Sequence, residues 1–346
     1  YYVDVIRKKQ ISLIATEIWP SGFCNHHCTI CSTDVYGLCN AYSLDLSTLK
    51  KCIEYLGQTG NRLIRFSGGG EPLMMKGIDK IFKYIHTKGM YSLVVTNGAL
   101  LDDKTCNELS EFSTVVRFSF NGGTPEDYFA VHRQNDFKKV VRNMAYLGSR
   151  RVKTGRDSNL LLGCTFIVTP QNYKHIYQAS KIVKDCGFDF ILLRGINPIR
   201  HIFEGHERDI LKKQISLCHT IKNMNFFVSG SINKLDGMRG KKRVFQCCYI
   251  NHYRIFINSD GSVYPCFSAI MHNDKPVGNI YHKAINEIWE SKLLGVYRSE
   301  LENGSLFNFC NIFCDHIEFN QFVDFVLKQI RIDKNVKFRK VPRDWA

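Results

Sequence analysis

The chain has 346 residues, with 47 Lys and Arg against 32 Asp and Glu, and a formal net charge of +15. Hydrophobic residues make up 44 % and charged residues 23 %, which excludes a disordered or fibrous chain. No apolar run is long enough to cross a bilayer, so we expect no membrane span, no secretory leader and a cytoplasmic protein. In that reducing compartment, 14 cysteines indicate metal ligation rather than disulfide cross-linking.

The first two-thirds of the chain alternates short β-rich runs with helical patterns. Strands are predicted at 13–18, 63–67, 92–96, 115–120, 164–168 and 190–193. Helices are predicted at 48–56, 77–86, 103–112, 127–147 and 176–186, with Thr124 as an N-cap before Pro125. Six βα units predict parallel strands with right-handed crossovers, in an open sheet or a partial barrel, with chemistry at the carboxyl ends of the strands.

The pattern changes after Ser229. A Gly-rich and basic connector at 234–243 precedes a predicted β-hairpin, with strands at 254–258 and 263–267 around the turn Ser259-Asp260-Gly261. Helices are predicted at 285–292 and 319–330, and a basic stretch follows at 328–343. We therefore divide the chain into a large domain at 1–230, a small domain at 231–318, and a C-terminal helix with a basic tail at 319–346.

Three cysteines follow the first predicted strand, in the sequence Cys24-Asn-His-His-Cys28-Thr-Ile-Cys31. Three thiolates at this C-x3-C-x2-C spacing can bind three irons of a [4Fe–4S] cube and leave the fourth iron open to a substrate or cofactor. The alternative is a zinc knuckle that adds a histidine such as His27, although zinc sites usually pair their cysteines as C-x2-C.

A second group of cysteines lies in the last third of the chain. Cys248 precedes the predicted hairpin, Cys266 follows it, and Cys310 and Cys314 form a C-x3-C pair. From the residues alone this group is either a four-thiolate zinc site or an iron–sulfur site. Cys247 competes with Cys248 for the first ligand position.

The first cysteine motif resembles the signature of the radical S-adenosylmethionine (SAM) superfamily. The sequence Gly69-Gly70-Glu71-Pro72 after the second strand resembles the family's GGEP motif. The resemblance implies that Glu71 helps to hold the amino group of SAM and that the two glycines let the backbone approach it closely. The other residues that it implies as SAM contacts are Ile30, Thr96, Asn97, Ser119, Asn121, Val168 and Arg194.

The second group of cysteines resembles the SPASM extension of that superfamily in its shortened "twitch" form. The resemblance implies one auxiliary [4Fe–4S] cluster, bound by Cys248, Cys266, Cys310 and Cys314. In the register of that extension, counted back from the Asp260-Gly261 turn, the resemblance implies Cys248 as the ligand and leaves Cys247 as a candidate catalytic hydrogen donor. The fold expected from the resemblance is a partial (β/α)6 TIM barrel with a small cluster-binding domain.

The chemistry that this resemblance implies is radical. A reduced cluster on Cys24, Cys28 and Cys31 would cleave SAM to a 5′-deoxyadenosyl radical, with flavodoxin or ferredoxin as electron donor. We expect the radical to abstract hydrogen from a carbohydrate-type small molecule (a sugar, an aminocyclitol or a nucleoside intermediate), leading to oxidation, epimerisation or a related rearrangement. The +15 charge favours an anionic substrate.

Two alternative functions stay open. A peptide maturase is the first, although only 23 residues precede Cys24, which argues against a leader-recognition domain ahead of it. A non-catalytic metal protein that binds nucleic acid is the second. It is disfavoured because RNA binding favours aromatic residues interleaved with the basic ones, and the basic tail offers only one, Phe338.

Overall fold

The described residues form one ten-stranded sheet. The computed structural model describes residues 13–153, 160–196, 201–230, 232, 248–271, 274–302, 320, 321 and 323. The strands within these residues are β1 (Ala15–Ile18), β2 (Leu63–Phe66), β3 (Tyr91–Thr96), β4 (Val115–Ser119), β5 (Leu161–Val168), β6 (Phe190–Gly195), β7 (Phe227–Ser229), β8 (Arg254–Ile257), β9 (Ser262–Tyr264) and β10 (Gly278–Asn279). Their order across the sheet is β10-β9-β8-β1-β2-β3-β4-β5-β6-β7.

Helices connect the strands. They are α1 (Ser32–Val35), α2 (Leu46–Gln58), α3 (Ile78–Thr87), α4 (Asp103–Phe112), α5 (Pro125–His132), α6 (Phe137–Lys153), α7 (Ile176–Asp185), α8 (Gly205–Thr220), α9 (Phe267–Met271), α10 (Ile285–Trp289) and α11 (Lys292–Glu302). In α3 the buried residues Ile78, Ile81, Phe82 and Ile85 recur at helical spacing, so this segment presents one apolar face to the core. No helix in the described part of the chain is long and apolar enough to cross a membrane.

The parallel strands confirm the predicted α/β class. Each of β1 to β7 pairs in parallel with its neighbours in that series, and helices lie between consecutive strands. The series has seven strands rather than six, because the three-residue β7 is too short to give a sequence pattern. The sheet order is linear, with β7 and β10 at its two ends, as an unclosed barrel requires.

The structure corrects two predicted helices. The helix predicted at 285–292 ends at Trp289, and α11 begins separately at Lys292. The pattern at 127–147 is divided into α5 and α6 because Arg133 adopts a left-handed conformation, with φ of 56°. The Arg133 N–H donates to the Phe129 carbonyl at 2.9 Å and ends α5 there. The predicted cap at the other end of α5 is confirmed, since the Thr124 hydroxyl accepts from the Asp127 N–H at 3.2 Å.

The C-terminal hairpin extends the same sheet. β8 and β9 are antiparallel around the predicted turn, where Gly261 has φ of +80° and a Cβ would lie 2.5 Å from the Tyr281 ring. β8 also pairs in parallel with β1. The antiparallel strands and neighbouring helices confirm the small twitch-like unit. The boundaries at 230 and 318 stay a prediction, and the basic tail lies outside the described residues.

Candidate active site

Four sequence motifs meet at the carboxyl edge of the sheet. The cysteine motif follows β1, Glu71 follows β2, Asn97 follows β3 and Asn121 follows β4. Because β1 to β4 are parallel and paired in sequence order, their carboxyl ends lie side by side. This is the edge at which α/β sheets bind ligands.

The three thiols of the cysteine motif are free, and they lie close enough for their charges to interact. Burial raises the pKa of Cys28, and the neighbouring Cys24 and Cys31 thiolates raise it further. Desolvation by the surrounding loop also raises the pKa of Cys24 to about 11, although the residue is exposed at the surface. An uncompensated thiolate is therefore unfavourable here, whereas the irons of a cluster would stabilise all three thiolates. The three thiols fit the cluster that the sequence predicts.

The cysteine loop, residues 24–31, is fixed to the C-terminal end of α5. The His27 N–H donates to the His132 carbonyl at 3.3 Å, and the Thr29 N–H donates to the Val131 carbonyl at 2.8 Å. These carbonyl groups at the end of a helix have no partner within it, so the loop satisfies them. The loop and α5 thereby hold each other in place.

The predicted Gly69 and Gly70 lie against the chain between β1 and the cysteine loop. Gly69 has φ of +106°, and a Cβ there would lie 2.8 Å from the Trp19 ring. A Cβ at Gly70 would overlap the Phe23 carbonyl oxygen. Both positions therefore require glycine for packing within the protein. Their approach to SAM stays a prediction.

Glu71 is the centre of a buried hydrogen-bond network. Its Oε1 accepts from the Thr96 hydroxyl at 2.6 Å and from the Leu73 N–H at 3.3 Å, while Oε2 accepts from the Asn97 N–H at 2.8 Å. Burial raises the pKa of Glu71 to about 7, although these hydrogen bonds lower it. The Asn97 side chain in turn donates to Asn25 Oδ1 at 2.8 Å. Glu71 thus connects the end of β3 to the cysteine loop.

Asn121 is 2 % exposed, and its side chain is engaged inside the protein. Its Oδ1 accepts from the Ile167 N–H at 2.6 Å, and its Nδ2 lies 3.3 Å from His132 Nε2. Ser119 is half-buried at the end of β4 and pairs in register with Thr165. Contacts of Ser119 and Asn121 with SAM stay a prediction.

The other predicted SAM contacts lie at the same edge. Ile30 is half-buried in the turn before Cys31. Val168 is buried at the end of β5, and Arg194 is half-buried in β6, in register with Ile167. These positions are compatible with the predicted contacts and do not test them.

Two histidines that the sequence did not single out lie beside Cys28. His26 Nδ1 lies 3.4 Å from His132 Nδ1, which lies 3.3 Å from Cys28 Sγ. Burial lowers the pKa of His132 to about 3. Burial also lowers the pKa of His26; His27 and Lys139 lower it further, and Asp136 opposes the shift. The doubled histidine in the cysteine motif was the available signal for His26. His132 had none, because 104 positions separate it from Cys28.

The second cysteine group is described in part. Cys248 is buried, and the side-chain amides of Asn251 and Asn320 donate to its sulfur at 3.2 Å and 3.7 Å. Cys266 is half-buried between β9 and α9. Cys247, Cys310 and Cys314 lie outside the described residues. The amide donors around Cys248 suit a thiolate ligand, because thiolates accept such hydrogen bonds.

Comparison with protein families agrees with the SAM and iron–sulfur sites that the sequence predicts. A family model described as "Radical SAM superfamily" matches residues 19–179, and one described as "Iron-sulfur cluster-binding domain" (SPASM) matches residues 247–315. The chain belongs to the radical SAM superfamily. Its cofactors are therefore SAM, a SAM-binding [4Fe–4S] cluster and an auxiliary iron–sulfur cluster.

Two relatives of this radical SAM protein illustrate the range of its sequence matches. The Fe-coproporphyrin III synthase of Methanosarcina barkeri is 26 % identical over 175 residues, which are 49 % of this chain and 42 % of that protein. The chain thus spans less than half of that relative's length. A cysteine-type anaerobic sulfatase-maturating enzyme of Clostridium novyi is 24 % identical, over 79 % of this chain and 78 % of that protein.

Solved structures share the fold over most of the chain. SuiB of Streptococcus suis, bound to its precursor peptide SuiA, superposes with a TM-score of 0.63 and 15 % identity, over 86 % of this chain and 69 % of that chain. SuiB bound to SAM gives a TM-score of 0.62 and 16 % identity, over 86 % and 70 %. These likenesses confirm the α/β architecture of the superfamily.

Proposed function

We propose that this radical SAM protein is an enzyme that abstracts a hydrogen atom from a residue of a peptide or protein substrate. The observation that carries the proposal is the match, along 79 % of the chain, to an enzyme named for maturing a sulfatase, which is a protein. The fold shared with SuiB, whose structure contains a precursor peptide, supports it. These relatives favour the peptide maturase over the carbohydrate-modifying enzyme that we expected first from the sequence.

The residues of the site divide the work between them. Cys24, Cys28 and Cys31 would hold the cluster that, with bound SAM, supplies the one-electron chemistry needed to attack an unactivated C–H bond. Glu71 has a buried carboxylate at this edge, and it would orient the amino group of SAM. The protein's contribution is to bind, to orient and to exclude water.

Cys248, Cys266, Cys310 and Cys314 are the proposed ligands of the auxiliary cluster. A cluster held there would supply an acceptor for one electron, which favours net oxidation of the substrate. Cys247 remains the proposed hydrogen donor if the product is instead an epimer. We propose flavodoxin or ferredoxin as the electron donor, which the net charge of +15 supports because these partners are acidic.

The substrate class can be tested with anaerobically reconstituted protein, SAM and dithionite. We expect about eight irons and eight sulfides per chain, the content of two [4Fe–4S] clusters. Incubation with a mixed library of deuterated peptides should transfer deuterium into 5′-deoxyadenosine, measured by mass spectrometry. A parallel incubation with deuterated nucleotide sugars should give none.

A Cys28→Ala variant is the control, and it should form no 5′-deoxyadenosine with either mixture. Deuterium transfer from the sugars but not from the peptides would overturn the proposal and restore the carbohydrate hypothesis. Zinc in place of iron, with no cleavage of SAM, would contradict both.

A further inference from the structure

The imidazole of His132 faces a sulfur that the cluster requires. His132 is the last residue of α5 and is 1 % exposed. Among the described residues, its Nδ1 has two hydrogen-bonding neighbours, Cys28 Sγ at 3.3 Å and His26 Nδ1 at 3.4 Å. The SAM-binding residues predicted from the sequence do not include it, so its role has to be read from its contacts.

Hydrogen bonds on the opposite side of the ring determine the tautomer of His132. The backbone N–H of Asn121 donates to His132 Nε2 at 3.2 Å, and Asn121 Nδ2 lies 3.3 Å from the same atom. The Ile167 N–H donates to Asn121 Oδ1 at 2.6 Å, so the NH₂ group of that amide is the part that faces His132. Both groups at Nε2 are donors. Nε2 therefore carries no proton, and the ring proton is on Nδ1.

Two acceptors compete for the Nδ1 proton. His26 Nε2 lies 3.3 Å from the Asp136 carboxylate, which can accept but not donate, so His26 Nδ1 is left as an acceptor. The second acceptor is Cys28 Sγ. A thiolate bound to iron keeps negative charge, and hydrogen bonds to charged acceptors are stronger than neutral ones. Assembly of the cluster therefore favours donation from His132 to Cys28 over donation to His26.

We propose that His132 donates an Nδ1–H···S hydrogen bond to the Cys28 thiolate and thereby raises the reduction potential of the SAM-binding cluster. Hydrogen bonds to the sulfurs are one of the factors that set the potential of iron–sulfur clusters. The reduced cluster carries one more negative charge than the oxidised one, so the positive end of the N–H dipole stabilises it more. Asn121 is a positioning residue, because it holds His132 in the donating tautomer.

A matched pair of variants isolates the hydrogen bond. His132→Leu and His132→Asn have nearly the same size and shape, but only asparagine can place an N–H near the position of Nδ1. Tyr128→Phe is the control for packing, since the Tyr128 ring stacks on His132 with ring centres 4.2 Å apart. The quantity measured is the midpoint potential of the cluster whose electron paramagnetic resonance (EPR) signal changes when SAM is added.

Each variant has a defined expected result. His132→Leu should make reduction less favourable by about tenfold, a shift of about 59 mV to more negative potential for a one-electron couple. His132→Asn should recover most of that shift, and Tyr128→Phe should match the wild type. Equal potentials in the wild type and His132→Leu would overturn the proposal, as would a shift that asparagine does not reduce.

A measurement on the wild type decides the question if His132→Leu fails to bind its cluster. Protein labelled with ¹⁵N in the histidine rings should show coupling between a ring nitrogen and the reduced cluster by pulsed EPR. Absence of that coupling would overturn the proposal. Both experiments omit substrate, so their failure would leave the proposed peptide chemistry untouched.

Discussion

At the scale of single residues, the site contains polar groups whose pKa values are shifted by burial. Glu71 accepts hydrogen bonds from Thr96, Asn97 and Leu73 and is 3 % exposed, yet it has no cationic partner in the described residues. Burial raises its pKa to about 7, so the carboxyl group binds its proton more tightly in the folded protein than in the unfolded chain. The positive amino group of SAM would reverse this, because a nearby cation favours the carboxylate.

The Glu71 pKa predicts how the stability of the cluster-free protein depends on pH. Its pKa is raised on folding, so its contribution to stability is present below the unfolded pKa and is lost as pH rises towards about 7. Between the unfolded pKa and about pH 7, this effect lowers the free energy of unfolding by up to about 1.4 kcal/mol per pH unit, and Glu71→Gln should abolish it. The difference in free energy of unfolding between the two proteins, measured in urea from pH 5 to pH 8, tests this.

A surface carboxylate provides the control for this experiment. Hydrogen bonds from Lys88 and Tyr84 lower the pKa of Glu54, so its contribution changes below the pH range of the measurement. Glu54→Gln should therefore run parallel to the wild type from pH 5 to pH 8. A parallel curve for Glu71→Gln as well would show that the Glu71 carboxyl group is already ionised throughout that range.

At the scale of elements, β1 is the connection between the two parts of the sheet. It pairs in parallel with β2 on one side and with β8 on the other. Glu17 in β1 forms ion pairs with Arg254 of β8 and, at 3.6 Å, with Arg65 of β2, and the Ser67 hydroxyl donates to it. Its side chain is 10 % exposed, so these charges interact more strongly than they would in water.

Glu17→Ala should release β8 from β1. The variant leaves two largely buried arginines without this carboxylate, so the free energy of unfolding should fall by about 3 kcal/mol or more. Hydrogen exchange of the β8 amides should accelerate more than that of β5. Asp79→Ala is the control, since its partner Lys104 is 68 % exposed, and it should cost less than about 1 kcal/mol. Equal losses in the two variants would contradict the structural role of Glu17.

The elements that the sequence predicted are those whose signal is local. The strands that precede Cys24, Glu71, Asn97 and Asn121 follow from β-rich runs, and α4 (Asp103–Phe112) agrees with its predicted bounds. The break at Arg133 has no signal in the sequence, because a residue of any type can end a helix when tertiary contacts offset the energy of a left-handed conformation. The tautomer of His132 depends on Asn121 and Ile167, which only the folded sheet brings together.

At the scale of the whole molecule, the sequence gives a net charge of +15 but does not identify the partner that this charge attracts. A protein of this charge attracts acidic partners over distances set by the Debye length, which is about 8 Å at physiological ionic strength. The proposed flavodoxin or ferredoxin is such a partner, and a peptide substrate with acidic residues would be another. Electron delivery can be separated from substrate binding because it can be measured without substrate.

Salt should slow electron delivery from flavodoxin. Raising the ionic strength from about 0.05 M to about 0.5 M should lower the initial rate of flavodoxin-supported 5′-deoxyadenosine formation about tenfold, because screening removes the attraction. Reduction by photoreduced deazaflavin, a small molecule of low charge, is the control and should change less than about twofold. A similar response with both reductants would show that the basic surface does not guide the donor.

The position of β1 between β2 and β8 also constrains when the protein can finish folding. Ile18 pairs with Phe66 on one side and with Ile257 on the other. The first partner of β1 is therefore synthesised early, whereas the second lies 239 positions after Ile18 (257 minus 18). At about 5–20 residues per second, that second partner leaves the ribosome roughly 12 to 48 s after β1. During this interval the strand that leads into the cysteine loop has an unpaired edge, which is a site for wrong pairing between chains. A nascent chain halted before β8 should therefore need protection by a chaperone.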